Sequence, residues 1–90
     1  MAHNTNNVSY NRVYAIESAF QMQACIDAIF LAVPTVGSKS TYEIIYDSID
    51  PMSRSQLPNA LKTLKKDGKI SKYIDLVDGV NIHTIERLAL

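Results

Sequence analysis

The sequence predicts a mostly α-helical domain that closes with a C-terminal β-hairpin. Three observations carry that expectation: apolar residues at three- and four-residue steps over 10–33, a later amphipathic segment that ends in Asp67-Gly68, and Asp78-Gly79 set between two β-branched runs. Residues 1–9 are polar and Asn-rich and read as a flexible arm, which leaves 10–90 as one domain.

The first helix is expected from about Tyr10 to Val33. Val13, Ile16, Phe20, Ile26, Ile29, Phe30 and Val33 recur at helical steps, with Arg12, Glu17, Gln21, Gln23 and Asp27 between them. Such a helix is longer than a small three-helix domain needs. Its excess length has two readings: a surface that packs against a second copy, making a homodimer through this helix, or a separate short helix folded back on the same core. Pro34 and Gly37 end the segment.

Ser40 with Glu43 forms a capping-box pattern, so a short helix is expected over Thr41 to Ile49 with Ile44, Ile45 and Ile49 inward. Asp50-Pro51 stops it, because a residue before proline disfavours the helical region. Ser53 with Gln56 repeats the capping-box pattern, placing the start of the next helix at Arg54 and making a helix–turn–helix. Leu57, Ala60, Leu61 and Leu64 then share one face that must be covered, while Ser55, Asn59, Lys62 and Lys66 point the other way. Gly68 suits the left-handed residue of a helix C-terminal cap. Pro58 lacks an N–H, so either the helix begins nearer Leu57 with Pro58 in its first turn, or that turn is distorted.

The hairpin follows at once. Ile70 to Val77 and Val80 to Ile85 flank Asp78-Gly79, and a two-residue turn there pairs Val77 with Val80, Asp75 with Ile82 and Tyr73 with Thr84. Ile74, Leu76 and Ile85 then share a face with Asn81 and His83. Neither face is cleanly apolar, and the pattern leaves the inward one open.

Ninety residues, 47% of them hydrophobic, support one core of modest size. The single cysteine, Cys25, excludes an internal disulfide or a cysteine-based metal site and favours a reducing compartment; in its apolar helical setting it reads as a core residue. No run approaches the ~18 apolar residues of a membrane span, and the N-terminus has no secretory pattern, so a cytoplasmic protein is expected.

Charge is balanced in total and uneven along the chain. Over 1–51, Arg12 and Lys39 stand against Glu17, Asp27, Glu43, Asp47 and Asp50, a net of −3. Over 52–72, Arg54, Lys62, Lys65, Lys66, Lys69 and Lys72 stand against Asp67 alone, a net of +5; over 73–90 the net is −2. A basic segment on an acidic body suits a face that meets an anionic partner. Lysines in a last helical turn also complement the helix dipole whatever the function.

From Ser40 to Ile85 the chain resembles a winged helix-turn-helix domain. Ser55 to Ile70, with Ala60, Leu61, Leu64, Gly68 and Ile70 in the "aL..L...G.I" frame, is similar to the recognition helix and first wing strand of that superfamily. It covers about half the chain and singles out no one family. Two features depart from the pattern: Pro58 inside the helix, and a wing tip, Val77 to Val80, without a basic residue.

The resemblance implies a small sequence-specific DNA-binding protein, a transcriptional regulator acting as a dimer on double-stranded DNA. Ser55, Gln56 and Asn59 would then meet base edges, with Gln and Asn suited to adenine. Arg54, Lys62, Lys66, Lys69 and Lys72 would meet phosphates, and Lys39 and Ser40 before the second helix would add a phosphate clamp together with Ser38. Glu43 and Asp47 on that helix would repel a backbone that came close, which narrows the face. The fold also serves as a protein-interaction module, an adaptor or inhibitor of a larger complex, and the acidic second helix and uncharged wing tip favour that alternative.

No catalytic constellation is apparent. His3 and His83 are the only histidines, and the chain lacks a glycine-rich phosphate loop, an H-E-x-x-H motif and a nucleophile elbow. The expectation is therefore a protein that is not an enzyme and needs no cofactor or metal.

Overall fold

The computed structural model describes residues 2–90, with side chains from Ala15 onward. Among them are three α-helices, one 3-10 turn and three strands: α1 (Ala2–Ala32), β1 (Lys39–Thr41), α2 (Tyr42–Ser48), the turn Arg54–Gln56, α3 (Leu57–Lys66), β2 (Ile70–Val77) and β3 (Val80–Arg87). The strands form one antiparallel sheet in the order β1-β3-β2.

Helix α1 is one continuous element of 31 residues, so the alternative of a short helix folded back on the core does not hold. It begins at Ala2 rather than near Tyr10 and so takes in 2–9, the segment expected as a separate arm; Met1 and the side chains before Ala15, that of Val13 among them, lie outside the described residues. Among the described residues it reaches the core through Cys25, Ile29 and Val33, with Met22, Ile26 and Phe30 packed beside them. Ile16 and Phe20, which belong to the same helical spacing, are 56% and 73% exposed. They lie on the side of α1 opposite Cys25, Ile29 and Val33.

A three-residue strand, β1, follows the Pro34 break. Ser40 is spent pairing with Ile85 in the sheet, and the hydroxyl that caps α2 is Thr41, which accepts from the Ile44 N–H at 3.1 Å. The cap is thus one residue later than the Ser40–Glu43 pattern suggests. Ile45 and Ile49 are buried as expected, whereas Ile44 is 60% exposed, one helical step off the inward face.

The Ser53–Gln56 capping box is also not made. Ser53 is buried in helical backbone geometry and its side chain caps nothing; the chain runs through the 3-10 turn, and α3 proper starts at Leu57 with Pro58 in its first turn. There the missing N–H would have been unpaired anyway. Leu57, Ala60, Leu61 and Leu64 are buried against α1 and the base of the sheet. At the other end Gly68, at φ 73°, donates to the Lys65 carbonyl, and the Lys69 N–H donates to that of Leu64. These are the two bonds of a Schellman cap.

The hairpin register agrees with the pairing expected, Val77 with Val80, Asp75 with Ile82 and Tyr73 with Thr84. Asp78 and Gly79 both take positive φ, 50° and 78°, as a two-residue type I′ turn requires. The inward face is that of Ile70, Ile85 and Arg87, buried at the base, while Ile74, Leu76, Val77 and Val80 stand exposed toward the tip. The helices cover only the lower part of the hairpin, which explains why neither face reads as uniformly apolar.

Candidate nucleic-acid interface

The outer side of α3 is polar because its inner side is wholly committed to the core. Ser55, Asn59, Lys62 and Lys66 are exposed, with Lys65 beside them, above the buried leucines. Asn59 Nδ2 donates to Gln56 Oε1 at 3.1 Å, which holds the two amides side by side at the helix start. That contact leaves Gln56 with free donors and Asn59 with a free acceptor. Among the described residues the one ion pair joins Lys39 and Glu86, so Lys62, Lys65 and Lys66 carry uncompensated charge.

The other basic residues are placed differently. Arg54 Nε donates to the carbonyls of Tyr46 (3.0 Å) and Ile49 (3.1 Å), and its guanidinium lies 4.7 Å from the Tyr46 ring centre. It closes the C-terminal end of α2, where a cation also meets the negative end of the helix dipole. Its first task is structural. Lys69 Nζ is bonded to a main-chain oxygen of Leu90 at the end of the chain. Lys72 lies on the inward face of β2, with Nζ 5.4 Å from the Tyr42 ring centre, in cation–π range.

Lys39 and Ser40 belong to β1, which runs straight into Thr41, the N-cap of α2. Ser38 closes a turn, its hydroxyl donating to the Thr35 carbonyl at 2.6 Å. Lys39 is 3.7 Å from Glu86 and 5.9 Å from the Tyr73 ring centre, while the Tyr73 hydroxyl donates to Glu86 Oε1 at 2.9 Å. The Tyr73 hydroxyl, and after it the Glu86 carboxylate, hold the Lys39 ammonium above its ordinary pKa. Because Lys39 pairs opposite Glu86 and Lys72 opposite Ile85, adjacent β3 residues, the two lysines project from opposite faces of the sheet. Ser38, Lys39 and Ser40 thus precede α2 as expected, with Lys39 held toward Glu86 and Ser40 paired with Ile85.

Tyr42 and Tyr46 stack with ring centres 6.1 Å apart, and each meets a cation. His83 is exposed on β3, in an open cleft of about 380 Å³ that it shares with Tyr42 and Glu43. Cys25 is buried, its thiol donating to the Ser53 carbonyl at 3.1 Å, and burial pushes its pKa up. The arrangement can thus present amide, hydroxyl and ammonium groups from one rigid helix face. Among the described residues no group of three or more His, Cys, Asp or Glu side chains could hold a metal ion, and no helix is long and apolar enough to cross a membrane.

Sequence reasoning missed Arg87, the residue that joins sheet and helix. Arg87 Nη1 donates to the Val33 carbonyl at 3.1 Å and its guanidinium lies 3.9 Å from the Phe30 ring centre. Nothing local to Arg87 signals a partner so far away in the chain.

No protein family, curated protein or solved structure matches this chain.

Proposed function

We propose that this protein is a winged helix-turn-helix DNA-binding protein, a transcriptional regulator that reads a duplex with the outer side of α3. The observation that carries the reading is the exposed row Ser55, Asn59, Lys62 and Lys66 on a helix whose other side is buried. Support comes from the element order around it: β1, α2, α3, then the β2–β3 hairpin, with β1 on the far side of β3. In that reading the amides of Gln56 and Asn59 meet base edges in the major groove. Lys62 and Lys66 meet phosphates, which fix register and supply affinity.

Of the wider set of cations, Arg54, Lys69, Lys72 and Lys39 each already have a partner within the chain. Phosphate contact in this proposal therefore rests on Lys62, Lys65 and Lys66. A second reading, an interaction module for another protein, draws support from the hairpin tip, where Ile74, Leu76, Val77 and Val80 are exposed around Asp78. An apolar, acidic tip suits a protein surface better than a phosphate backbone.

Nuclear magnetic resonance with labelled backbone amides separates the two. Titration with a mixed-sequence duplex is expected to shift signals from Ser55 to Lys66 first and to leave those of Ile74 to Val80 in place. Shifts confined to the hairpin tip, or none at low salt, would count against DNA binding by α3.

A further inference from the structure

Helix α1 has a second side that the fold leaves uncovered. Opposite Cys25, Ile29 and Val33 run Ile16, Phe20, Ala24, Asp27 and Leu31, at steps of four, four, three and four residues. Phe20 is 73% and Leu31 81% exposed. One carboxylate, Asp27, interrupts this row, and its Oδ1 already accepts from Gln23 Nε2. At the C-terminal end the row opens into an apolar groove between α1 and α2, lined by Ala28, Leu31, Ala32, Ile44 and Ser48. A helix apolar on both sides is one that expects cover on both.

Size and charge select the occupant. The stretch from Ile16 to Leu31 is only about 24 Å long, and a third to half the circumference of such a helix offers on the order of 250–400 Å². A standard interface takes about 800 Å² from each partner. The groove and the Ile44 side of α2 add to the area of the row, which places the association at the small, concentration-dependent end of the range. In a parallel pair Asp27 would face its own copy, whereas an antiparallel pair separates the two carboxylates and sets the helix dipoles head to tail. An antiparallel pair also sets the Ile16 end of one row beside the Leu31–Ile44 groove of the other, so each copy covers what its partner leaves open.

We propose that two copies of this chain associate through antiparallel α1 helices, the row of Ile16, Phe20 and Leu31 in each lying against the other and the Ile16 end of each row seated toward the Leu31–Ile44 groove of its partner. This association is independent of what α3 binds.

Sedimentation equilibrium of the full chain at about 100 μM should give the mass of two copies, falling toward one on dilution. Phe20→Asp, at a position outside the core, should raise the dissociation constant at least ~100-fold while leaving the thermal unfolding of the body in place. Ile44→Asp should weaken the pair as well. Leu31→Cys should not form a disulfide-linked dimer on mild oxidation, since the antiparallel arrangement sets the two positions far apart. A monomer at that concentration overturns the proposal, and so does a dimer indifferent to both aspartate substitutions; efficient cross-linking of Leu31→Cys overturns the antiparallel arrangement.

Discussion

Arg87 donates from Nη1 to the carbonyl of Val33, joining the last strand to the end of the first helix across 54 positions of the chain. Arg87 is only 7% exposed, its Nε donates to the Ala89 carbonyl at 2.6 Å, and Phe30 covers its guanidinium. The charge is thus held by a helix C-terminus, a second carbonyl and an aromatic face. Without them, burial of a cation would be costly. Replacing Arg87 with Ala removes a charge-assisted hydrogen bond and a cation–π contact and leaves the Val33 carbonyl without this partner. The expected loss is about 2–4 kcal/mol, read by urea unfolding.

The two capping patterns make a sharper comparison. Thr41→Ala should cost about 1 kcal/mol, because Thr41 alone supplies the side-chain cap of α2. Ser53→Ala should lose no capping energy, because Ser53 caps nothing with its side chain. Equal losses in chemical denaturation would contradict the observed cap.

At the hairpin turn the cost of substitution is conformational rather than steric. A Cβ on Gly79 would meet nothing within 4 Å, yet φ there is 78°. Gly79→Ala should therefore destabilise by about 1 kcal/mol, while Asp78→Asn should be neutral or slightly stabilising, since Asn tolerates positive φ. Thermal unfolding of the two variants checks this.

Lys39 provides a pH test. Its pKa is raised above 10.5 by Tyr73 first and Glu86 next, so folding favours the charged ammonium. The stabilisation is fully present below the unfolded pKa and fades as pH rises through the higher folded value. Tyr73→Phe should bring the Lys39 titration, followed by nuclear magnetic resonance, back toward 10.5 and reduce the alkaline loss of stability. An unchanged titration would remove Tyr73 as the main cause.

Local signals were read well where one element decides the outcome. Asp78-Gly79 sets the hairpin register by itself, since both turn residues need positive φ, and the leucine spacing of α3 decides which side is buried. The open question of Pro58 resolves as a helix beginning at Leu57. What could not be read depends on distant partners. Strand β1 is three residues long, too short for any periodicity, and exists because β3 pairs with it. That pairing draws Ser40 away from the helix it was expected to cap. Ile16 and Phe20 keep helical spacing with each other, yet they lie on the side of α1 opposite Cys25, Ile29 and Val33, which the core does not reach.

The same limit applies to the candidate binding face. Spacing alone identified the Ser55, Asn59, Lys62 and Lys66 row, and that row is exposed. Charge alone could not distinguish Lys62 and Lys66 from Arg54, whose guanidinium closes α2, or from Lys69 and Lys72, which meet Leu90 and Tyr42. The basic segment is uniform in sequence and divided in space.

The most direct measurement is the salt dependence of binding to a mixed-sequence duplex, for the natural chain and for Lys62→Ala with Lys66→Ala. If α3 meets phosphates, log affinity falls linearly with log salt with a slope of several units, and the double substitution flattens that slope by about 2. A duplex affinity that is undetectable at low salt, or a slope that the double substitution leaves unchanged, would contradict the proposed role of α3.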